Sequence, residues 1–366
     1  MQRMLQRNKG RLFLVCVLVV LAFVLTGCAS EQTYLNDAAD AYAAGNYDNA
    51  ETYFLKAIRN GEKSLTVFSG YAFNQLKKGD IKGAKALFEL MMNQQNTYGN
   101  YFDKEPQTGE AVRKGLLDIY LSENEYEKSI NLLKELGETA TDPAKKAEYK
   151  ASAAALAWRV SYAELDKDAT PLYSPDELIK LITDSITAGN ADVKNYRMRA
   201  DMYWIKEEWD LWEDDERMII SLKDYALDEY RAIFGMTLER KSVTDVLRLV
   251  DEAVVYFDGH SAYADNYTDI IPMVLKGAEY SKRTEWEHDE NYYFDLAEKY
   301  LTTAQDKNLS DNEVLRYQII VAEKKGKMEL AYKLLGVYLS PDHCPDDRMA
   351  YKEQKYLENR IGISAD

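Results

Sequence analysis

The sequence has 366 residues and a net charge of −16, with 62 acidic against 46 basic side chains and only three cysteines. A chain this acidic is repelled by nucleic-acid phosphates and by anionic lipid surfaces, so we expect no nucleic-acid partner. Apolar residues recur at three- and four-residue spacing, and alternating stretches are rare. The pattern predicts an all-α chain.

The N-terminal segment has the pattern of an export signal. Met1 to Arg11 carries basic residues and no acid, and Leu12 to Thr26 is apolar and uncharged. This arrangement predicts a secretory signal and delivery of the remaining chain across the membrane. The alternative is an uncleaved membrane helix over residues 12–30, since a span requires about 20 residues.

The stretch Leu25-Thr26-Gly27-Cys28 ends the apolar run. It resembles the lipobox of bacterial lipoproteins. The resemblance implies cleavage between Gly27 and Cys28 and a covalent diacylglycerol or acyl lipid on Cys28, with no other cofactor. Two or more acyl chains anchor a protein stably, whereas one does so only marginally. We therefore expect a protein that is lipid-anchored to the cell membrane and faces outside the cytoplasm, in an extracellular or periplasmic location.

Removal of residues 1–27 changes the charge and the cysteine inventory. The net charge becomes −20 because four basic residues are lost. Cys16 leaves with the signal and Cys28 carries the lipid, so Cys344 has no partner cysteine. We expect no internal disulfide, and stability must come from helix packing.

Two stretches repeat each other at a distance of 34 residues. Small, glycine, small and aromatic residues follow in the same order at Ala38, Gly45, Ala50 and Phe54 and again at Ala72, Gly79, Ala84 and Phe88. Small residues let two helices approach closely, and glycine suits a left-handed helix end. The period and the order resemble the tetratricopeptide repeat, a helix-turn-helix unit. The resemblance implies a right-handed α-solenoid of such repeats.

Weaker copies follow at Gly115–Leu136, Arg199–Ile219 and Ile319–Pro341. In the second of these, Trp212 stands where a small residue is expected. The sequence therefore predicts a lipoprotein signal peptide at 1–27, three N-terminal repeats at 28–136, degenerate helical repeats at 143–340 and a C-terminal capping helix at 341–366.

Residues with catalytic or metal-binding chemistry are sparse. The chain has three histidines, and the stretch Glu287-His288-Asp289-Glu290 lacks the i, i+4 pairing of a zinc helix. His343 and Cys344 have no second cysteine or histidine nearby in sequence. Phosphate-binding loops and nucleophile elbows are missing from the sequence, so we expect no metal site, no catalytic residue and no enzymatic activity.

Proteins with such repeats bind extended partners in the groove lined by the first helix of each repeat. By that resemblance the groove candidates are Tyr42, Phe73, Lys77, Lys114, Arg197, Asp201 and Trp204. Some family members clamp a C-terminal carboxylate with Lys and Asn, but here Asp118 and Asp201 follow the cations. Three tryptophans have two interpretations: Trp204, Trp209 and Trp212 could form an aromatic platform for a sugar or peptide, or they could be packing positions of a degenerate repeat. The repeat register places Trp204 toward the groove.

These observations favour a lipid-anchored, non-catalytic scaffold that binds a protein or peptide in its groove and a membrane through its anchor. One alternative is a carbohydrate- or peptide-capturing lipoprotein of an uptake system, similar to the starch-binding lipoproteins of gut bacteria. A second alternative is an envelope-assembly factor.

Overall fold

A computed structural model of the protein describes residues 32–94, 101–165, 169–261, 267–306 and 312–362. The predicted signal peptide and the lipidation site at Gly27 and Cys28 lie outside these residues. Every regular element in the described ranges is helical, which confirms the predicted all-α class. Within the same ranges, no helix combines the length and the apolar character that a membrane crossing requires.

The chain divides into two compact units between Ala191 and Asp192. In the first unit, helices pair as hairpins, and each hairpin's second helix packs on the next hairpin. Its helices are α1 Gln32–Ala43, α2 Tyr47–Arg59, α3 Leu65–Lys78, α4 Ile81–Gln94, α5 Pro106–Ser122, α6 Tyr126–Thr139, α7 Pro143–Trp158 and α8 Pro175–Thr187. A helical turn, Tyr101–Lys104, precedes α5, and α7 continues into a π-helical turn, Arg159–Ala163. Since α6 packs on α7, the two predicted repeat groups that meet at residues 136–143 share this unit.

The second unit continues the same hairpin pattern. Its helices are α9 Val193–Ile205, α10 Trp209–Leu222, α11 Leu227–Arg240, α12 Val243–His260, α13 Ile271–Ser281, α14 Glu290–Asp306, α15 Asn312–Lys324, α16 Met328–Tyr338 and the final helix α17 Arg348–Ile361. A 3₁₀ turn, Tyr267–Ile270, precedes α13. The odd-numbered helices α1 to α15 are thus the first helices of hairpins, and the even-numbered ones are the second.

The turns of several hairpins have one backbone geometry. In each, an amide two or three residues beyond the end of the first helix bonds the carbonyl five residues back, a Schellman-type closure. The bonds run from Asn46 to Ala41 at 2.9 Å, Asp80 to Gln75 at 2.9 Å, Glu125 to Tyr120 at 2.8 Å, Glu208 to Tyr203 at 2.9 Å and Lys327 to Ala322 at 2.8 Å. The residue before each donor has positive φ, and it is glycine at Gly45, Gly79 and Gly326 but Asn124 and Glu207 in the two others. The turn therefore fixes the repeat register even where glycine is missing.

The buried positions follow from that register. Ala38 and Ala50 in the first hairpin, and Ala72 and Ala84 in the second, are fully buried where their helices cross. Phe54 and Phe88 lie in the spaces between neighbouring hairpins. The predicted 34-residue repeat therefore corresponds to two hairpins of equivalent packing.

Many acidic side chains accept hydrogen bonds from tyrosine hydroxyls on neighbouring helices. Tyr120 donates to Glu89 at 2.9 Å, Tyr149 to Glu110 at 2.7 Å, Tyr293 to Asp251 at 2.6 Å and Tyr300 to Asp258 at 2.9 Å. The rings of Tyr293 and Tyr300 are fully buried, and a buried hydroxyl needs such an acceptor. Part of the acidic composition therefore serves packing between helices.

Candidate functional site

The predicted groove residues of the first two hairpins have different environments. Tyr42 is half-buried and meets Tyr47 edge-on, with ring centroids 5.6 Å apart. Lys77 is exposed near the end of α3. Phe73 is only 7% exposed and packs edge-on against Phe88 at 5.1 Å, so its assignment to the groove is wrong.

The burial of Phe73 has a local cause in the next hairpin. A Cβ atom at Gly115 of α5 would lie 2.8 Å from the Phe88 ring and 3.1 Å from the Phe73 ring. Because Gly115 has no side chain, α5 approaches both rings closely. This contact covers a position that the repeat pattern alone predicts to be open.

Lys114 of α5 is bound by the chain's own carboxylate. Its ammonium lies 2.7 Å from Glu110 and 5.4 Å from the centre of the Tyr149 ring. Burial disfavours the charged form of Glu110, but hydrogen bonds from Lys114, Tyr149 and Lys145 outweigh it and lower its pKa to about 2. Lys114 therefore has an internal anion beside it.

Arg197 of α9 is likewise bound within the second unit. Its guanidinium contacts Glu216 of α10 and Glu229 of α11, each at 2.5 Å. The two carboxylates are almost fully buried, at 2% and 4% exposure, and Lys223 is 2.9 Å from Glu229. Arg197 stays half-exposed, and its guanidinium is already paired with two buried acids.

The two aspartates that lie one helical turn beyond Lys114 and Arg197 have a different environment from that of the cations. Asp118 and Asp201 make no hydrogen bond or ion pair with the part of the chain that the structure describes. Desolvation raises the pKa of Asp118 to about 6, against the opposing charge of Lys114, although its side chain is exposed. Desolvation also raises the pKa of Asp201, opposed by Arg197. Both carboxylates are thus acceptors without a hydrogen-bond donor among the described residues.

Trp204 lies one turn beyond Asp201 on α9 and is half-exposed, at 50%. Its ring meets Trp209 edge-on at 4.8 Å and Trp212 at 5.3 Å. Trp212 is 5% exposed, and the Arg240 guanidinium covers Trp209 at 4.0 Å. Trp209 and Trp212 are thus packing residues that hold the Trp204 ring in one orientation. Since residues three apart share a helix face, Asp201 and Trp204 form one polar and aromatic surface.

The remaining reactive side chains have structural contacts. His288 stacks on Tyr292 at 3.8 Å, and Nδ1 of His343 lies 2.7 Å from Oδ1 of Asn312. Cys344 is half-buried as a free thiol. Among the described residues, no three His, Cys, Asp or Glu side chains come together in a way that suits a metal ion.

Sequence reasoning missed the buried carboxylates of α10. Glu216 occupies the register position of Phe54 and Phe88, and its neighbour Asp215 accepts two hydrogen bonds from Arg199, at 2.9 and 2.7 Å. The sequence does contain a pattern that predicts them: two consecutive acids stand at core positions of a degenerate repeat, and two arginines stand on the preceding helix. Because a buried carboxylate needs a partner, that coincidence predicts ion pairs.

No protein-family model matches the chain, and no curated relative does. Among solved structures, a tetratricopeptide repeat protein from Parabacteroides merdae is 9% identical, with a TM-score of 0.33, over 90% of this chain and 99% of that one. The C-terminal part of a repeat-containing protein from Cytophaga hutchinsonii is 13% identical, with a TM-score of 0.33, over 86% and 97%. The TPR2AB domain of yeast Sti1 is 16% identical, with a TM-score of 0.28, over 68% and 98%. Scores this low carry no argument about function, so the repeat assignment depends on the turns and packing described above.

Proposed function

We propose that the chain is a non-catalytic scaffold that holds a segment of another protein on the exposed face of its first helices. An acyl lipid on Cys28 tethers it to the membrane outside the cytoplasm, and its repeats stack as a right-handed solenoid of the tetratricopeptide type. The observation that carries the proposal is the surface formed by Asp201 and Trp204. It combines a desolvated acceptor with an aromatic side chain that is already held rigidly, so binding loses little side-chain entropy.

In each unit, the charges on the first helices define the chemistry of the partner. Lys114 in the first unit and Arg197 in the second are paired with internal carboxylates, whereas Asp118 and Asp201 accept no hydrogen bond from the residues that the structure describes. A partner that supplies amide, ammonium or guanidinium donors would satisfy these aspartates. A C-terminal carboxylate would meet like charge instead.

A site-specific photocrosslinker tests the binding face. Placed at Trp204 it should capture a partner in intact cells, whereas at Val255, an exposed apolar residue of the second-type helix α12, it should capture none. Equal capture at both positions, or none at Trp204, would refute the proposed face.

Cys28→Ala should abolish fatty-acid labelling and release the protein from membranes, and persistent labelling would refute the anchor.

Carbohydrate capture is the second candidate, because a half-exposed indole is a surface on which a sugar ring packs. Under this alternative, purified protein binds oligosaccharides saturably and Trp204→Ala abolishes the binding. The crosslinking experiment separates the candidates, since sugar capture requires no protein adduct at Trp204.

A further inference from the structure

The outer face of the final helix α17 has a charge opposite to that of the protein as a whole. Arg348, Lys352, Lys355 and Arg360 are all exposed, and none forms an ion pair with any residue that the structure describes. The first three follow one another at i, i+4 and i+7, so they line one stripe of the helix. The protein has a net charge of −16, so the positive charge of this stripe is opposite in sign to that of the whole chain.

The acids of α17 are turned away from that stripe. Glu353 binds Arg316 of α15 at 2.5 Å, and Glu358 accepts a hydrogen bond from Tyr332 of α16 at 3.2 Å. Asp347 caps the start of the helix, 2.9 Å from the Met349 amide. Among the described residues 340–362, the exposed acids are Asp342 and Asp346, in the loop before the helix. Contacts with α15 and α16 therefore hold the acidic side chains of α17 away from the basic stripe.

Apolar and aromatic side chains flank the basic stripe. Met349 is 67% exposed, Tyr356 55% and Tyr351 46%, while Ala350 and Leu357 anchor the opposite side of the helix in the core. By contrast, the exposed side chains of α8 include Asp176, Glu177 and Asp184 around a single lysine. Long cationic side chains between tyrosine and methionine suit the headgroup region, where ammonium groups reach phosphates and the apolar parts enter the interface.

We propose that the outer face of α17 docks on the anionic headgroups of a lipid bilayer. Each Lys or Arg close to an anionic surface contributes roughly fivefold in binding. The net negative charge repels an anionic surface from the protein as a whole, but charges farther than a Debye length of about 10 Å from the basic stripe are largely screened, so the stripe dominates the interaction at close approach. The inference rests on the proposed Cys28 anchor only for bringing the protein near a bilayer.

Hydrogen exchange of the full-length protein tests the docking. Amides of α17 should exchange about tenfold more slowly with excess vesicles containing about 30% phosphatidylglycerol than with pure phosphatidylcholine vesicles. The protection should disappear in about 0.5 M salt. Lys352→Glu/Lys355→Glu should abolish it, and Lys352→Gln/Lys355→Gln should reduce it partly. The matched control is Lys82→Glu/Lys180→Glu, which reverses two exposed lysines that form no ion pair with the described residues and should leave the protection intact.

Three results would overturn the proposal: equal exchange with both vesicle types, equal loss of protection in the control variant, or protection by added membrane proteins but not by lipid. Circular dichroism of each variant establishes that the helices remain folded. Failure of the anchor has a different signature, because the protein then fails to float with phosphatidylcholine vesicles while the α17 comparison still reports on docking.

Discussion

The first two hairpins and the hairpin α9/α10 share one register but bury different chemistry. Where α2 and α4 place Phe54 and Phe88 in the core, α10 places Glu216, and all three side chains are at most 2% exposed. Where the early hairpins have Ala50 and Ala84, α10 has Trp212 at 5% exposure. The backbone turn and the helix pairing therefore preserve the repeat, while its interior changes from apolar packing to ion pairing.

This exchange has consequences for stability and for function. The early hairpins gain stability from buried apolar area, which tolerates small changes in solution conditions. The α9/α10 hairpin depends on partners that satisfy one another, and the loss of either partner leaves a buried charge. The same hairpin carries Asp201 and Trp204, so the part of the second unit proposed to bind a partner is also the part whose core is polar.

The largest effect is expected in the apolar region. Phe88→Ala should lower the free energy of unfolding by about 3–5 kcal/mol, because the ring is fully buried against Phe73 and the α5 backbone at Gly115. Hydrogen exchange of α3 to α5 amides measures the loss locally. The α9/α10 amides serve as the internal control, and an equal loss there would contradict an effect confined to the first unit.

A loss of about 3 kcal/mol is expected when Arg197→Ala removes the cation from Glu216 and Glu229. If unpaired charge is the cause, Arg197→Ala/Glu216→Leu should recover much of the loss, because leucine restores the apolar character of the register position. Hydrogen exchange of α10 and α11 amides measures both variants. A double variant no more stable than the single one would show that packing, and not charge, accounts for the cost.

Much of the fold was predictable because local signals agree with the register. The glycines of the first two turns and the alanines at helix crossings define α1 to α4. The stretch Ser174-Pro175-Asp176-Glu177 has the residue pattern of a capping box, and that box is present, with the Ser174 amide 2.8 Å from Glu177. The C-terminal capping helix, predicted within residues 341–366, runs from Arg348 to Ile361 and ends with Gly362 in the left-handed conformation.

The site was less predictable because its contacts join helices that the repeat pattern does not relate. Arg197 meets acids 19 and 32 residues away, on two different helices. Phe73 is covered by α5 of the next hairpin, which lies outside the two stretches that repeat at a distance of 34 residues. A register predicts which residues face a neighbouring helix, but it does not identify the side chain that the neighbour presents.

A smaller effect, about 1 kcal/mol, is expected at the turns. Glu207 has φ of 58° in the position that Gly79 occupies with φ of 84°. Glu207→Gly should stabilise α9/α10 by about 1 kcal/mol, since a side chain is strained in this conformation, and Gly79→Ala should destabilise α3/α4 by a similar amount. Denaturant unfolding followed by hydrogen exchange compares the two hairpins, and a destabilising Glu207→Gly would mean that the Glu207 side chain has a stabilising contact.

The smallest effect is a difference in pH dependence between the regions, under about 1 kcal/mol for each group. Burial raises the pKa of Glu216 above 4.5, against the opposing charge of Arg197, and the hydrogen bond from Lys78 lowers the pKa of Glu51 in α2 below 4.5. A raised folded pKa means that the contribution of Glu216 to stability increases as pH falls from 7 toward 4.5. A lowered folded pKa means that the contribution of Glu51 to stability is complete above about pH 4.5 and is lost as the pH falls below that value.

Paired variants isolate these two slopes. Glu216→Gln should remove the gain that α10 amides show between about pH 7 and about pH 4.5, and Glu51→Gln should remove only the loss that α2 amides show below that range. Exchange rates corrected for intrinsic pH dependence provide the measurement. Parallel slopes in α2 and α10 would contradict the comparison, because a buried carboxylate with a raised pKa and a half-exposed carboxylate with a lowered pKa would then respond to protons in the same way.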